Sequence, residues 1–254
     1  MNEMIVPGLK RFAKFSRDSS SHIVRSITGR EKAGPRMEKS IDLTDPRQIL
    51  AAPRNAAHTV KEEIAGVLFF IGVMWATFLL DGVLPLSEWF ALIPRRVTRL
   101  PGIPLMPFLH GNWYHIISNT IPLFVLLTLL AGSRARSWLI VLCLIMLSGS
   151  LLWLAGLPWL SGQPERTHVG ASALIFGLVT FLISSAYFER RFVPMVVAIV
   201  VGFLYGSNLL FGVLPIQAPG VSWEGHFSGA LAGIGVAYAF TRKLRDLPGT
   251  PQGV

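Results

Sequence analysis

The sequence predicts an all-α, polytopic membrane protein with six transmembrane helices. Three observations lead there. Only 15% of the 254 residues are charged while 52% are hydrophobic, whereas an ordinary soluble domain carries about 25% charged residues. The apolar residues gather into six runs close to the ~20 residues that cross a bilayer core. Lysine and arginine concentrate in alternate connections between those runs, the asymmetry that sets orientation in a membrane.

The runs lie at about 64–84, 112–131, 137–157, 170–188, 192–214 and 223–240. Each is expected to be a helix, because a helix satisfies its own backbone hydrogen bonds in lipid. Residues 1–60 are basic, with scattered Gly, Pro and Ser, and read as a partly disordered cytoplasmic arm. Residues 61–243 form the membrane domain, and 244–254 a short cytoplasmic tail. Arg134 and Arg136 follow the second run, Glu189, Arg190 and Arg191 the fourth, and Arg242, Lys243 and Arg245 the sixth. All fall on the side of the basic arm, which makes that side cytoplasmic. Arg95, Arg96 and Arg99 lie on the other side, in a long loop where charges count less. Trp113, Trp159 and Trp223 fall near the outer boundary, where interfacial tryptophans gather. Within the first outer loop, residues 86–92 carry Trp89 and Phe90 among apolar neighbours and suit a short interfacial helix.

Composition also sets aside other classes. The net charge of +9 sits where anionic lipid headgroups meet it, so the partner is membrane lipid and no nucleic acid is expected. The single Cys143 excludes an intrachain disulfide. The first long apolar run begins too late for a cleaved leader. Short loops suit a multi-pass protein of a bacterial inner membrane.

Polar groups inside spans are costly and mark function. His115 and Asn119 lie one turn apart on the same face of the second run, Ser172 in the first turn of the fourth, and His226 in the first turn of the sixth. All three runs start on the outer side, so the groups share a depth of roughly 5–10 Å below that boundary at 1.5 Å per residue. Taken singly, each has a plainer reading: a packing serine, an interfacial histidine, an asparagine bonding a neighbouring helix. Their common depth suggests one hydrated site that opens outward. Gly225, Gly229 and Gly233 form a small-residue stripe in the sixth run, and Gly170 and Gly177 flank Ser172. Such glycines let helix backbones approach closely.

These groups suit acyl transfer. His226 is a base for the Ser172 hydroxyl. The free N–H groups and dipole of a helix start, with the Asn119 amide and the His115 ring, are donors for an oxyanion. Apart from Glu224, near the boundary, no carboxylate lies at the depth of His226. A Ser–His dyad is expected, needing neither cofactor nor metal.

The H-x-x-x-N of His115 and Asn119, the G-x-S-x from Gly170 through Ser172 to Ala173, and Gly225-His226 followed by Gly229 together resemble the rhomboid intramembrane serine proteases, over about residues 64–240. The resemblance implies hydrolysis of peptide bonds in or near transmembrane segments of protein substrates. Ser172 would be the nucleophile and His226 the general base and acid. His115, Asn119 and the Ser172 N–H would be oxyanion donors. His110 matches a histidine often found five residues upstream of the second-span one. Gly170, Ala173, Gly225 and Gly229 would be supporting residues. Two departures stand out: Ala173 replaces a glycine frequent after the serine, and residues 100–104 replace a Trp-Arg pair frequent in the first loop. Residues 212–222, with Pro215, Pro219 and Gly220, form either a mobile lid or an ordinary turn.

Three rival readings remain to be weighed. A non-cleaving relative generally lacks the Ser or the His, and both are present. A transporter site usually lies at the midplane, not near one face. A metal site from His110, His115, His168 and His226 leaves Ser172 unexplained.

Overall fold

A computed structural model describes residues 60–134, 136–156, 166–216 and 221–245. Six long helices carry the chain. They are α1 Val60–Asp81, α2 Trp113–Ser133, α3 Ser137–Ala155, α4 Ser172–Glu189, α5 Phe192–Gly212 and α6 Trp223–Arg245. The expected arm over residues 1–59, most of the tail (246–254), Trp159, and residues 217–220 of the 212–222 loop lie outside the described residues.

Five of these helices, α1 to α5, are long and apolar enough to cross a membrane. The chain is thus a helical, polytopic integral membrane protein, as its composition predicts. α6 is 23 residues long but far less apolar. Its composition follows from its surroundings: it packs chiefly against α4 and α3, and it buries Ala230, Ala232, Val236 and Ala237. These small residues let α6 approach its neighbours closely, while Phe227, Leu231, Ile234 and Tyr238 stay exposed. α6 also runs through Arg245, so Arg242, Lys243 and Arg245 belong to its last turns and do not follow it as expected.

α4 is the central helix. Leu174, Leu178, Phe181 and Leu182 are buried in one cluster with Leu123, Leu126 and Leu130 of α2 and Leu144 of α3. α5 is its opposite: only Pro194, Val201 and Gly212 are buried, while Phe203 is 87% exposed. In a membrane that outer surface faces lipid.

Local chemistry sets the helix ends near the site. The Asn112 side chain caps α2 by accepting the His115 N–H at 2.9 Å. Ser222 performs the same task for α6, its Oγ accepting the Gly225 N–H at 3.0 Å. α4 begins at Ser172, two residues later than the 170–188 run suggested, because Gly170 has φ +108°. That left-handed conformation cannot join a right-handed helix and suits glycine.

The first outer loop folds into short pieces. Helix Leu86–Phe90 falls within the 86–92 stretch expected to form a short helix. Residues 100–104, where the Trp-Arg pair is missing, run into a short helix Gly102–Leu105 after the 3₁₀ turn Val97–Arg99. A Cβ on Gly102 would lie 2.7 Å from the Leu92 nitrogen, so this glycine lets the loop fold back on itself. Leu92 in turn pairs with His168 through two backbone hydrogen bonds of 3.1 and 2.8 Å.

Candidate active site

The first turns of α2, α4 and α6 lie at the same end of the bundle, together with the last turn of α5. Between them is a cavity of about 980 Å³ whose lining includes His115, Asn119, Ser172, His168, Ser222 and His226. The four polar residues expected to converge from three helices therefore share one cavity. Ser172 and His226 both face it, though without a direct hydrogen bond between them. Such bonds are often long before substrate binds and tighten in the complex.

His226 is held in a definite orientation. Its Nδ1–H donates to the Gly212 carbonyl at 3.0 Å. That assigns the proton to Nδ1 and leaves the Nε2 lone pair free as a base. The ring also stacks on Phe176, with centroids 4.1 Å apart and planes 6° from parallel. Phe176 lies four residues after Ser172, one turn along the same face of α4. The imidazole is thus fixed by a backbone carbonyl from the end of α5 and by an aromatic plate from the helix that Ser172 opens. The sequence places no carboxylate at this depth apart from Glu224, which is engaged elsewhere, with Arg166 at 3.8 Å.

Asn119 and His115 meet the chain just before Ser172. A Cβ on Gly170 would overlap the His115 Nε2 and lie 3.4 Å from the Asn119 Nδ2. Only a glycine admits these two side chains so close to the backbone leading into the serine. Asn119 Nδ2 donates one hydrogen to His110 Nε2 at 3.1 Å, which leaves its second for another acceptor. His110 is buried, and its ring lies 5.0 Å from that of His115, edge to face.

The glycine stripe divides into two parts. A Cβ on Gly229 would run into the Ala173 carbonyl, and one on Gly233 into Thr180 Oγ1 and the Gly177 carbonyl. These two set the α4–α6 contact. Gly225 does not belong with them: a Cβ there would meet its own cap, Ser222 Oγ, at 2.9 Å and Leu152 at 3.7 Å. Its place beside the cap, one residue ahead of His226, explains the difference. Ala173 is buried with Leu92, Ile103, Met106 and Leu152, so the methyl that replaces a hydrogen there has apolar neighbours.

Three contributors were not singled out from sequence: Phe176, Gly212 and Ser222. Phe176 shares a face with Ser172 at a spacing of four, which is the signal that could have found it. Nothing local marks the Gly212 carbonyl, because every residue has one.

His110, His168 and His226 each have a separate hydrogen-bond partner: Asn119, Ser222 and the Gly212 carbonyl. His168 Nδ1 lies 2.7 Å from Ser222 Oγ. Burial, reinforced by the neighbouring Arg166 charge, lowers its pKa from 6.5 to about 4. Burial and the charge of His115 lower that of His110 to about 4 as well, against a small upward pull from the Phe108 backbone. Both rings are neutral at pH 7, which lets His110 Nε2 accept from Asn119. Between pH 6.5 and 4 the unfolded chain binds protons that these folded rings refuse. Stability is therefore fully present above about 6.5 and declines as pH falls toward 4, by on the order of 3 kcal/mol per histidine. Thermal unfolding in detergent is expected to show Tm falling across that window, with a shallower fall in the His110→Asn, His168→Asn double variant. An equal slope in that variant would contradict the assignment.

A family model described as Rhomboid domain matches residues 97–243. A Mycobacterium tuberculosis protein described as uncharacterized is 39% identical over 189 residues, which cover 71% of this chain and 78% of that protein. A Mycobacterium bovis protein with the same description gives the same figures. A Mycobacterium leprae protein, also described as uncharacterized, is 42% identical over 153 residues, covering 58% of this chain and 59% of its own length.

Proposed function

Because the chain belongs to the rhomboid family, we propose that it is an intramembrane serine protease that hydrolyses peptide bonds in or near the transmembrane segments of other membrane proteins. The observation that carries this reading is the shared cavity: a serine at a helix start, a histidine with its Nε2 lone pair free, and an amide and a second ring against the backbone before the serine.

In the proposed mechanism Ser172 Oγ attacks the scissile carbonyl carbon as His226 Nε2 takes its proton. The carbonyl oxygen becomes an oxyanion that accepts from Asn119 Nδ2, from the His115 ring and from the Ser172 N–H, which has no intrahelical acceptor at the first position of α4. The imidazolium then protonates the leaving amine, and the peptide C–N bond breaks to give an acyl-enzyme. Water, activated by the same histidine, releases the acid and restores Ser172. The Gly212 carbonyl does here what a carboxylate does in a triad: it holds the tautomer.

The cavity wall includes Tyr114 and Ser118 of α2 and Tyr205 and Leu209 of α5. α5 buries few of its residues, so the α2–α5 side is the route by which a substrate segment would reach Ser172 from lipid. Substrates whose outer ends contain Gly, Pro or polar residues would unwind there at least cost. The inferred setting is a bacterial inner membrane with both termini cytoplasmic and the cavity opening outward.

Incubating the purified protein in detergent with a defined transmembrane substrate tests the reading. Cleavage is expected, together with covalent labelling of Ser172 by a fluorophosphonate. Intact substrate and an unlabelled serine would overturn it. Asn119→Ala is expected to lower kcat by roughly 10²–10³-fold with little change in KM, the usual cost of one oxyanion donor. A purely structural Asn119 would instead lower Tm and leave kcat alone.

A further inference from the structure

The cavity holds a second Ser–His pair, which the proposed mechanism does not use. His168 Nδ1 and Ser222 Oγ lie 2.7 Å apart, within hydrogen-bond distance. Two facts argue against its being a second nucleophile. The His168 ring is a weak base, and the Ser222 oxygen is already committed to the Gly225 N–H as the cap of α6. We infer that His168 and Ser222 are positioning residues, linked to set the relative placement of the two helix starts that carry Ser172 and His226. The inference rests on the protease reading above for the roles of those two residues.

The register is what makes the link effective. His168 lies four residues before Ser172, and Ser222 four before His226. The His226 N–H donates to the Ser222 carbonyl at 3.1 Å, so Ser222 is fastened to the base through the first turn of α6. On the other side, His168 is fixed by its backbone pairing with Leu92, and Gly170 by its N–H to the Met106 carbonyl at 2.9 Å. The segment leading into the nucleophile is therefore anchored to the first outer loop and bridged to the segment leading into the base. Arg166 adds a second fastening: its Nη2 donates to the Val221 carbonyl at 2.6 Å, and its guanidinium lies 3.8 Å from Glu224. Below this polar bridge, Gly229 and Gly233 hold α4 against α6. Packing there fixes the distance between the helix axes but leaves sliding and rotation at the outer ends to be restrained. A buried hydrogen bond with defined donor and acceptor supplies that restraint, because breaking it leaves polar atoms unsatisfied.

His168→Ala tests this, because it removes the bridge while leaving the Ser222 cap and the Leu92 pairing in place. With a defined transmembrane substrate in detergent, kcat is expected to fall roughly 10- to 100-fold, the scale of a small misplacement of reacting groups, with KM close to wild type and a modest fall in Tm from the lost buried ring and its hydrogen bond. Ser222→Ala should lose as much activity and also some Tm, since the cap goes too. The double variant should be no slower than Ser222→Ala, because one interaction can be lost only once. Ser222→Thr, which keeps the hydroxyl, should recover most of the rate. Selective ¹⁵N-histidine NMR adds a measurement independent of turnover: His168→Ala is expected to shift the His226 ring resonances. Unchanged kcat together with unchanged His226 resonances in His168→Ala would overturn the positioning role while leaving the protease reading intact. If wild type fails to cleave, the protease reading falls, and the His226 resonances alone decide whether the bridge positions the ring.

Discussion

Ser172→Ala is expected to abolish cleavage, lowering kcat/KM by on the order of 10⁴-fold or more, the scale seen when a nucleophile that works with a paired base is removed. His226→Ala should match it, and the double variant should be no worse than either single one, because the two groups act as a unit. The expected stability cost is small for Ser172. It opens α4 facing the cavity, and its hydroxyl takes no part in the core around Leu174 and Leu178. Tm within about 2 °C of wild type, with intact expression, would separate lost chemistry from lost structure. His226→Ala should cost more, because it removes the ring stacked on Phe176 and leaves the Gly212 carbonyl without its donor. Substrate binding should survive in Ser172→Ala, so co-purification of uncut substrate is a further expected result. Cleavage by Ser172→Ala at the wild-type rate would end the assignment outright.

The class of fold was legible in the sequence because membrane physics leaves few choices: long apolar runs must become helices, and their approximate limits follow from bilayer thickness. The details that escaped are those set by tertiary contact. α4 starts at Ser172 and not Gly170 because Gly170 takes φ +108°, and the His115 and Asn119 side chains of a distant segment fill the space a Cβ there would need. α6 extends to Arg245, past the end of its apolar run, and that run alone gives no sign of the extension. Gly225 shares the four-residue spacing of Gly229 and Gly233, and spacing alone cannot tell a packing glycine from one beside a cap. Of the site itself, the residues with rare chemistry in a span stood out: Ser172, His226, His115 and Asn119. The parts that orient them did not. Gly212 contributes only a backbone carbonyl, Phe176 is one aromatic among many, and Ser222 looks like any helix cap until His168 is found beside it.

Gly233→Leu is expected to have the largest effect on the fold. Even the first carbon of a new side chain would overlap Thr180 Oγ1 and the Gly177 carbonyl, and it would lie 2.8 Å from the Phe181 nitrogen. Two of those atoms are backbone on the central helix and cannot swing aside, so α6 must move away from α4. Thr180 Oγ1 also donates to the Ala230 carbonyl at 2.9 Å, and that link between the helices would be strained with it. Overpacking where neighbours can yield costs about 1–3 kcal/mol; against rigid backbone the cost should exceed that range. At roughly 2–4 °C per kcal/mol for a chain of this size, Tm should fall by about 10 °C or more, with poor recovery from the membrane. Gly229→Ala presents the milder form of the same clash at a more sensitive place. Its methyl would meet the carbonyl of Ala173, the residue after the proposed nucleophile, so activity should fall more steeply than stability as Ser172 is pushed from His226. Gly202→Ala and Gly206→Ala on α5 are the controls, since a Cβ at either meets nothing within 4 Å. They should be neutral or slightly stabilising, as expected for a glycine replaced in an open helical position. If Gly229→Ala and Gly233→Leu behave like these controls, close backbone contact between α4 and α6 is not what brings the serine and the histidine to one cavity.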